Sequence, residues 1–305
     1  MSAITGHHER IPDAGPPDSP PGATRRVGSS ISGPIDAIFG PIRVAWTHRA
    51  LIDRMARREI AARYRGSVLG LGWAVVTPLA MLGVYTFVFA VVLKARWTVA
   101  GSDAGGTGAF AARVFLGLIL FQLVSSMMTQ TPTLLRQNRS LVKKVVFPLE
   151  ALVLIRLRVA LFDFATGFVV FLAVGWLIGG GIGWGVLLIP VAAVPIALLA
   201  LGIGWLLSGL GAYLNDLAPL AATASILLMF MSAIFYPVEI VPERWSWVID
   251  YNPVAAAIDN ARGLAFEPMR FDAVRFGLLL VASWVAAVLG LAVFRRVRGG
   301  FADVL

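Results

Sequence analysis

Residues 63–79 read RYRGSVLGLGWAVVTPL, and over a few positions the chain passes from its densest arginine cluster into almost pure hydrocarbon. Gly66, Gly70, Gly72, Trp73 and Pro78 lie across that junction. Downstream, the uncharged run from Gly66 continues to Leu93, beyond the roughly 20 residues a helix needs to cross a bilayer. The junction therefore reads as a cationic surface segment turning into a membrane span. Composition agrees, because 305 residues that are 58% hydrophobic and 14% charged, with a net charge of +9, lie far from the soluble balance.

Further uncharged runs of spanning length are Val114–Leu135, Phe164–Asn215, Leu217–Val238 and Phe276–Phe294. The run from Phe164 holds 52 residues, enough for two helices, with GGGIGWG (Gly179–Gly185) as the hinge. The expected fold is an all-α integral membrane protein with six transmembrane helices. Arginines crowd the segment before the first span, Arg136, Arg139, Lys143 and Lys144 follow the second, and Arg295, Arg296 and Arg298 follow the last. The positive-inside rule places those segments, and both termini, in the cytoplasm. The basic charge is confined to short flanks of apolar runs, which explains it by topology and not by nucleic acid.

Residues 1–34, rich in Pro and Gly, read as a disordered tail without the apolar core of a signal peptide, so the first span directs insertion. The 35–305 remainder forms one transmembrane domain. Within it, residues 43–65 read as an amphipathic helix on the membrane surface. Val44, Leu51, Met55 and Ala62 share one arc, and Arg43, Arg54, Arg57 and Arg65 another. Such a helix serves as a lipid anchor or as a docking surface for a cytoplasmic partner. The loop RQNRSLVKKVVFP (136–148) sets topology by its charge, but Leu141, Val142, Val145 and Val146 also suit a groove on a partner. Arg156 and Asp163, seven apart near the inner end of the third span, are read as an ion pair or as a polar lining. Beyond span five, Pro237, Pro242 and Pro253 punctuate apolar pieces too short to span. They read as re-entrant helices, with Trp245, Trp247 and Tyr251 suited to the interface.

Several chemistries lack their residues. The three lysines, at 94, 143 and 144, do not follow glycine, so no phosphate-binding loop exists. Cysteine is absent, and His7 and His8 lie in the tail while His48 is the one other histidine, without clustered carboxylates, which argues against a metal site. GLGW at Gly70 and GIGW at Gly202 fall within apolar helices, where close helix packing explains them better than a dinucleotide. No catalytic, cofactor-binding or metal residues are assigned, and a polytopic membrane glycosyl- or acyltransferase lacks an acid/base or nucleophile set.

In combination and order, RYRGSVLGLGWAVVTPL with VYTFVFAVVL, then NRSLVKKVVFPLEAL, LLSGLGAYLNDLAPL and FYPVEIVPERWSWVIDYNPVAAAIDNAR resemble the ABC-2 type permeases that export lipopolysaccharide O-antigen, teichoic acid and capsular polysaccharide. The resemblance covers residues 43–294. It implies a subunit of an ATP-driven exporter of polysaccharide or lipid-linked glycan in the cytoplasmic (inner) membrane. It implies two copies of the permease and two ATP-binding cassette subunits, with ATP and Mg on the latter and no cofactor on this chain. Arg63, Tyr64, Arg65, Gly66, Gly70 and Pro78 would form an elbow from interface helix to first span. Residues 136–147 would be the coupling loop, and ATPase contact would fall to Arg57, Arg58, Arg136, Arg139, Lys143 and Lys144. The 236–268 region would be a re-entrant outer gate with Tyr236, Pro237, Pro242, Trp245, Trp247, Asn252 and Pro253. Trp73, Tyr85, Phe89, Phe121 and Trp176 are candidate conduit-lining aromatics for sugar faces, or else lipid-facing and packing residues. An ABC-2 exporter of small amphiphiles or drugs shares the six-span plan.

Overall fold

The computed structural model describes residues 38–92, 107–142, 147–177, 183–266 and 271–304. The 1–34 tail, Lys143 and Lys144, hinge residues 179–182 and the end of the outer loop at 267–268 lie outside the described residues. Every regular element among the described residues is helical. Among the described residues, five helices are long and apolar enough to cross a membrane: Gly70–Val88, Phe110–Gln130, Glu150–Trp176, Trp184–Gly211 and Ala273–Gly300. The long uncharged run after Phe164 does divide into two of these. The chain is a multi-pass membrane protein.

The surface segment forms α1 (Gly40–Thr47) and α2 (Arg49–Tyr64), broken at His48. The first span holds α3 (Trp73–Tyr85), with Pro78 inside it, and continues as a π-helical stretch, Thr86–Val92. Span two is α4 (Thr107–Gln130), followed by the short α5 (Leu134–Gln137) and α6 (Arg139–Val142). Span three is α7 (Glu150–Leu177). Span four runs through α8 (Ile189–Ala192) into α9 (Val194–Gly211).

The next helix, α10 (Leu217–Met231), has 15 residues. At 1.5 Å per residue it covers about 22 Å, short of a hydrocarbon core about 30 Å thick. The uncharged sequence runs on to Val238, but the helix stops because Ala233 takes a left-handed φ of 49°. Then come α11 (Glu243–Asp250), α12 (Pro253–Phe266), the last span α13 (Ala273–Val297) and α14 (Phe301–Val304).

Span two is the centre of the bundle, 78% buried along its window, whereas span one is only 6% buried. Span four and the last span make the closest pair. A Cβ built on Gly202 would meet the Ala286 carbonyl at 2.5 Å, and one on Gly290 would overlap the Gly202 backbone. The GIGW segment is thus a close-packing motif. Gly70 departs from that expectation: its φ is +51° and open space surrounds it, so GLGW is a turn ahead of the helix.

The buried face of the surface helix is also rotated from the expected arc. Val44 lies in it, but Ile52 and Ala56 form its centre, Leu51 and Met55 are half-buried and Ala62 is exposed. The reason is that α2 packs on α7, and cross-helix ion pairs set its rotation.

Candidate functional site

The junction at residues 63–79 is built from two left-handed glycines. Arg65 ends α2 in an extended conformation, Gly66 has φ +84° and Gly70 +51°. The Ser67 hydroxyl donates to the Tyr64 carbonyl at 3.1 Å and closes the bend. Values of φ this positive strain any residue with a Cβ, so the chain changes direction where only glycine does so cheaply.

Ion pairs fix α2 to span three. Arg57 pairs with Asp53 on its own helix, and Arg158 of α7 reaches Asp53 at 3.7 Å. The Arg57 hydrogen bond holds the Asp53 carboxyl below its ordinary range. Glu59 accepts from Arg156, which lies 3.4 Å from the Gln130 amide oxygen. Arg63 Nη1 donates to both oxygens of Asp163, at 2.8 and 2.9 Å. The expected pairing of Arg156 with Asp163 is therefore corrected, because each finds its partner on α2. Arg57 and Arg58 keep exposed positions on the outer side of the helix.

A cavity of about 390 Å³ opens beside this junction, walled by α3, α4 and α7. Arg63, Tyr64, Trp73, Pro78, Tyr85, Gln122 and Asp163 are among its lining residues. Of the candidate aromatics, Trp73 and Tyr85 belong to it, and Tyr85 also contacts the Phe235 ring at 5.6 Å. Phe121 does not: it is 4% exposed and packs in the core, turned about 100° around α4 from Gln122. Trp176 is 84% exposed at the far end of α7 and is likewise apart from the cavity. Phe89 falls in the π-helical stretch, and its side chain lies outside the described residues.

At one end of the bundle, the ends of several spans are tied together. Arg136 donates to the Asn215 side chain and, at 3.1 Å, to the Leu214 carbonyl, joining the loop after span two to the loop after span four. Buried Glu150 receives Arg298 at 3.0 Å and lies 3.7 Å from Arg295, and its carbonyl accepts the Trp205 indole N–H at 3.1 Å. The Tyr213 hydroxyl donates to the Val297 carbonyl at 2.6 Å. Arg139 is exposed.

The segment from residue 236 to 266 is organised by residues of two kinds. Asn252 is buried, donates to the Met231 carbonyl and the Ser232 hydroxyl, each at 3.1 Å, and accepts from the Val254 amide at 2.9 Å. Pro237 and Pro242 precede short helical turns, Pro253 begins α12, and the Tyr236 hydroxyl donates to the Phe230 carbonyl at 2.8 Å. Trp245 and Trp247 are half-exposed on α11.

The sequence reading passed over Arg262. It is buried on α12 and donates to the carbonyls of Ala233 at 2.8 Å, Ile234 at 2.7 Å and Arg113 at 3.2 Å. It thus holds the left-handed turn after α10 against span two, and a Cβ on Gly117 would come within 2.9 Å of its guanidinium. The available signal was one arginine within the alanine-rich helix PVAAAIDNARGLAF.

The family model described as ABC-2 type transporter matches residues 51–266, from inside α2 to the end of α12. Two proteins of Klebsiella pneumoniae, each named O-antigen export system permease protein RfbA, are 24% and 25% identical over 265 residues, covering 84% of this chain and 95% of theirs. A protein of that name from Myxococcus xanthus is 24% identical over 264 residues, 86% of this chain and 98% of its own length.

Proposed function

The chain belongs to the ABC-2 type transporter family, and on that premise we propose that it is the membrane-spanning permease subunit of an ATP-driven exporter carrying polysaccharide or lipid-linked glycan across the cytoplasmic membrane. The observation that carries this reading is similarity along more than four-fifths of the chain to proteins named O-antigen export permeases. ATP is hydrolysed on a separate ATP-binding subunit, and the working unit is two copies of each. The spans number six when Leu217–Met231 is counted with the five longer helices, both termini are cytoplasmic, and α11 and α12 re-enter the membrane from outside.

The geometry supports a route for the work. A partner pressing on Arg57, Arg58, Arg139, Lys143 and Lys144 would push against α2, which is ion-paired to span three through Glu59 and Arg63. Because α2 also turns into span one at Gly66, the two walls of the cavity would move with it. Deleting the gene tests the assignment. A lipid-linked glycan should accumulate on the cytoplasmic face and clear when the gene is restored, while sensitivity to amphiphilic drugs stays constant. Normal surface glycan together with a drug-sensitive phenotype would replace this reading by export of small amphiphiles.

A further inference from the structure

Span two is the most enclosed of the spans, yet between Phe110 and Gln130 its exposed positions are Gln122 and Thr129. Gln122, Ser125 and Thr129 follow one another at spacings of three and four and share a helix face. The lipid-exposed positions of other spans carry hydrocarbon, as at Val84, Phe87, Val281 and Leu289. Amides and hydroxyls inside a membrane face protein or a wet cavity, because hydrocarbon cannot satisfy them. Ser125 and Thr129 are satisfied locally, the first by the Ser225 hydroxyl at 2.9 Å and the second by the Ser125 carbonyl at 2.8 Å. Among the described residues, no hydrogen bond engages the Gln122 amide, which opens into the cavity by the elbow.

The other walls of that cavity narrow its occupant. Arg63 and Asp163 neutralise each other, so neither an anion nor a cation finds a free countercharge there. Trp73 and Tyr85 supply aromatic faces, and Thr166 adds a hydroxyl. Its volume lies within the ordinary range of small-ligand sites. Aromatic faces beside an amide that both donates and accepts match a neutral ring with apolar C–H faces and equatorial hydroxyls.

We propose that this cavity is a saccharide-binding subsite of the export path, in which the Gln122 amide hydrogen-bonds ring hydroxyls and Trp73 stacks against an apolar sugar face. The proposal rests on the exporter reading above and names the residues that touch the cargo. The subsite holds one stretch of glycan at the level of the elbow, where movement of α2 changes its width.

The chain has no cysteine, so single cysteines report individual positions without background. Gln122→Cys, Thr166→Cys on the facing wall and Leu289→Cys on the outer surface of span six are placed in the full chain with its ATPase, in cells making their own glycan. Only a thiolate in water reacts with a charged, water-soluble thiol reagent. The cavity cysteines should react, and Leu289→Cys should not. When export is stalled by inactivating ATP hydrolysis, labelling at 122 and 166 should fall severalfold relative to cells unable to synthesise the glycan. Gln122→Leu should lower export about fivefold at unchanged membrane abundance, the effect of losing one neutral hydrogen bond, with Gln122→Asn recovering part of it. Cavity cysteines that are inert, as against lipid, or protected equally with and without glycan, as by a second copy of the chain, overturn the subsite. In a strain whose glycan export depends on this gene, that outcome leaves the exporter reading standing; loss of the dependence itself overturns both.

Discussion

Arg63, at the end of the surface helix, places one guanidinium nitrogen between both carboxylate oxygens of Asp163 in span three, 2.8 and 2.9 Å away. Residues a hundred positions apart thereby lock the elbow to the wall it faces. Both side chains remain partly exposed, so the pair contributes on the order of 1 kcal/mol or less to stability. Its expected role is geometric. Asp163→Asn should leave thermal unfolding nearly unchanged yet reduce ATP-driven export, and Arg63→Asp with Asp163→Arg should recover part of the loss. Export by Asp163→Asn equal to wild type would show that the pair does not transmit the movement of α2.

The contact between Gly202 and Gly290 makes a sharper stability prediction. A methyl group at 290 would press first against the Gly202 backbone, and backbone in a helix cannot step aside as a side chain can. Gly290→Ala should therefore destabilise by about 1–3 kcal/mol, the usual cost of overpacking. Gly277 lies on the same helix, and a methyl group added there would meet nothing within 4 Å, so Gly277→Ala should be neutral or stabilising by up to about 1 kcal/mol. Thermal unfolding in detergent distinguishes the two directly.

Arg262 should be the most sensitive polar residue of the outer loop. Replacing it with Met leaves the carbonyls of Ala233 and Ile234 short of a donor, at about 1–3 kcal/mol for each that stays buried. The left-handed Ala233 turn would lose the bonds that offset its strain. Arg262→Met should open residues 232–242 to protease, and Arg262→Lys, with one compact ammonium, should be intermediate. Wild-type protease resistance in Arg262→Met would mean that packing alone holds the turn.

The elbow was legible because its signals are local: arginines, then glycines, then an unbroken apolar run. The five long spans were legible from length and hydropathy for the same reason. The fifth apolar run was read too long, since hydropathy continues to Val238 whereas the helix ends at Met231 and the backbone turns at Ala233, and no residue type there marks a left-handed turn. Ion-pair partners were not legible either. Positions seven apart on a helix lie about 10 Å apart along its axis, farther than Arg156 need reach when Glu59 lies across the interface. Of the aromatic candidates, Trp73 and Tyr85 line the cavity and Phe121 does not, because a hydrophobic span gives no periodicity by which to choose a face. Arg262 was not legible, since its carbonyl partners lie in distant parts of the sequence, at Arg113 and at Ala233 and Ile234.

The loop after span two separates a docking role from a purely topological one. Arg136 is already engaged with Leu214 and Asn215, so Arg136→Ala should loosen the permease itself and lower its unfolding temperature. Arg139 is exposed. Its reversal to Glu, together with Lys143→Glu and Lys144→Glu, should leave insertion intact, because the other basic flanks still set orientation. It should impair binding of the ATPase subunit, measured by co-purification. Reporter fusions at Gly33, Arg139 and Gly299 should read cytoplasmic and one at Gly105 external; normal assembly in the triple variant would leave the loop only its topological role.

The outer loop assigns opposite demands to neighbouring residues. Trp245 and Trp247 are half-exposed on α11, whereas Asn252, at the turn into α12, is buried and bonded to the end of α10. As interfacial anchors the two tryptophans need only amphipathic rings at headgroup depth, and Trp245→Leu with Trp247→Leu should then change export little. As gate residues they would meet the second permease across the conduit mouth, and Trp245→Ala with Trp247→Ala should let small solutes leak from vesicles containing the assembled complex. Asn252→Ala acts differently: it removes the donor to the Met231 carbonyl and the acceptor for the Val254 amide, costing about 1–3 kcal/mol through unsatisfied buried groups. It should lower unfolding temperature whichever role the tryptophans have. Solute flux, export and unfolding measured on the same preparations separate the cases. Leakage in the alanine pair with unchanged unfolding supports a gate, while wild-type flux and export in both tryptophan variants leaves α11 as an anchor.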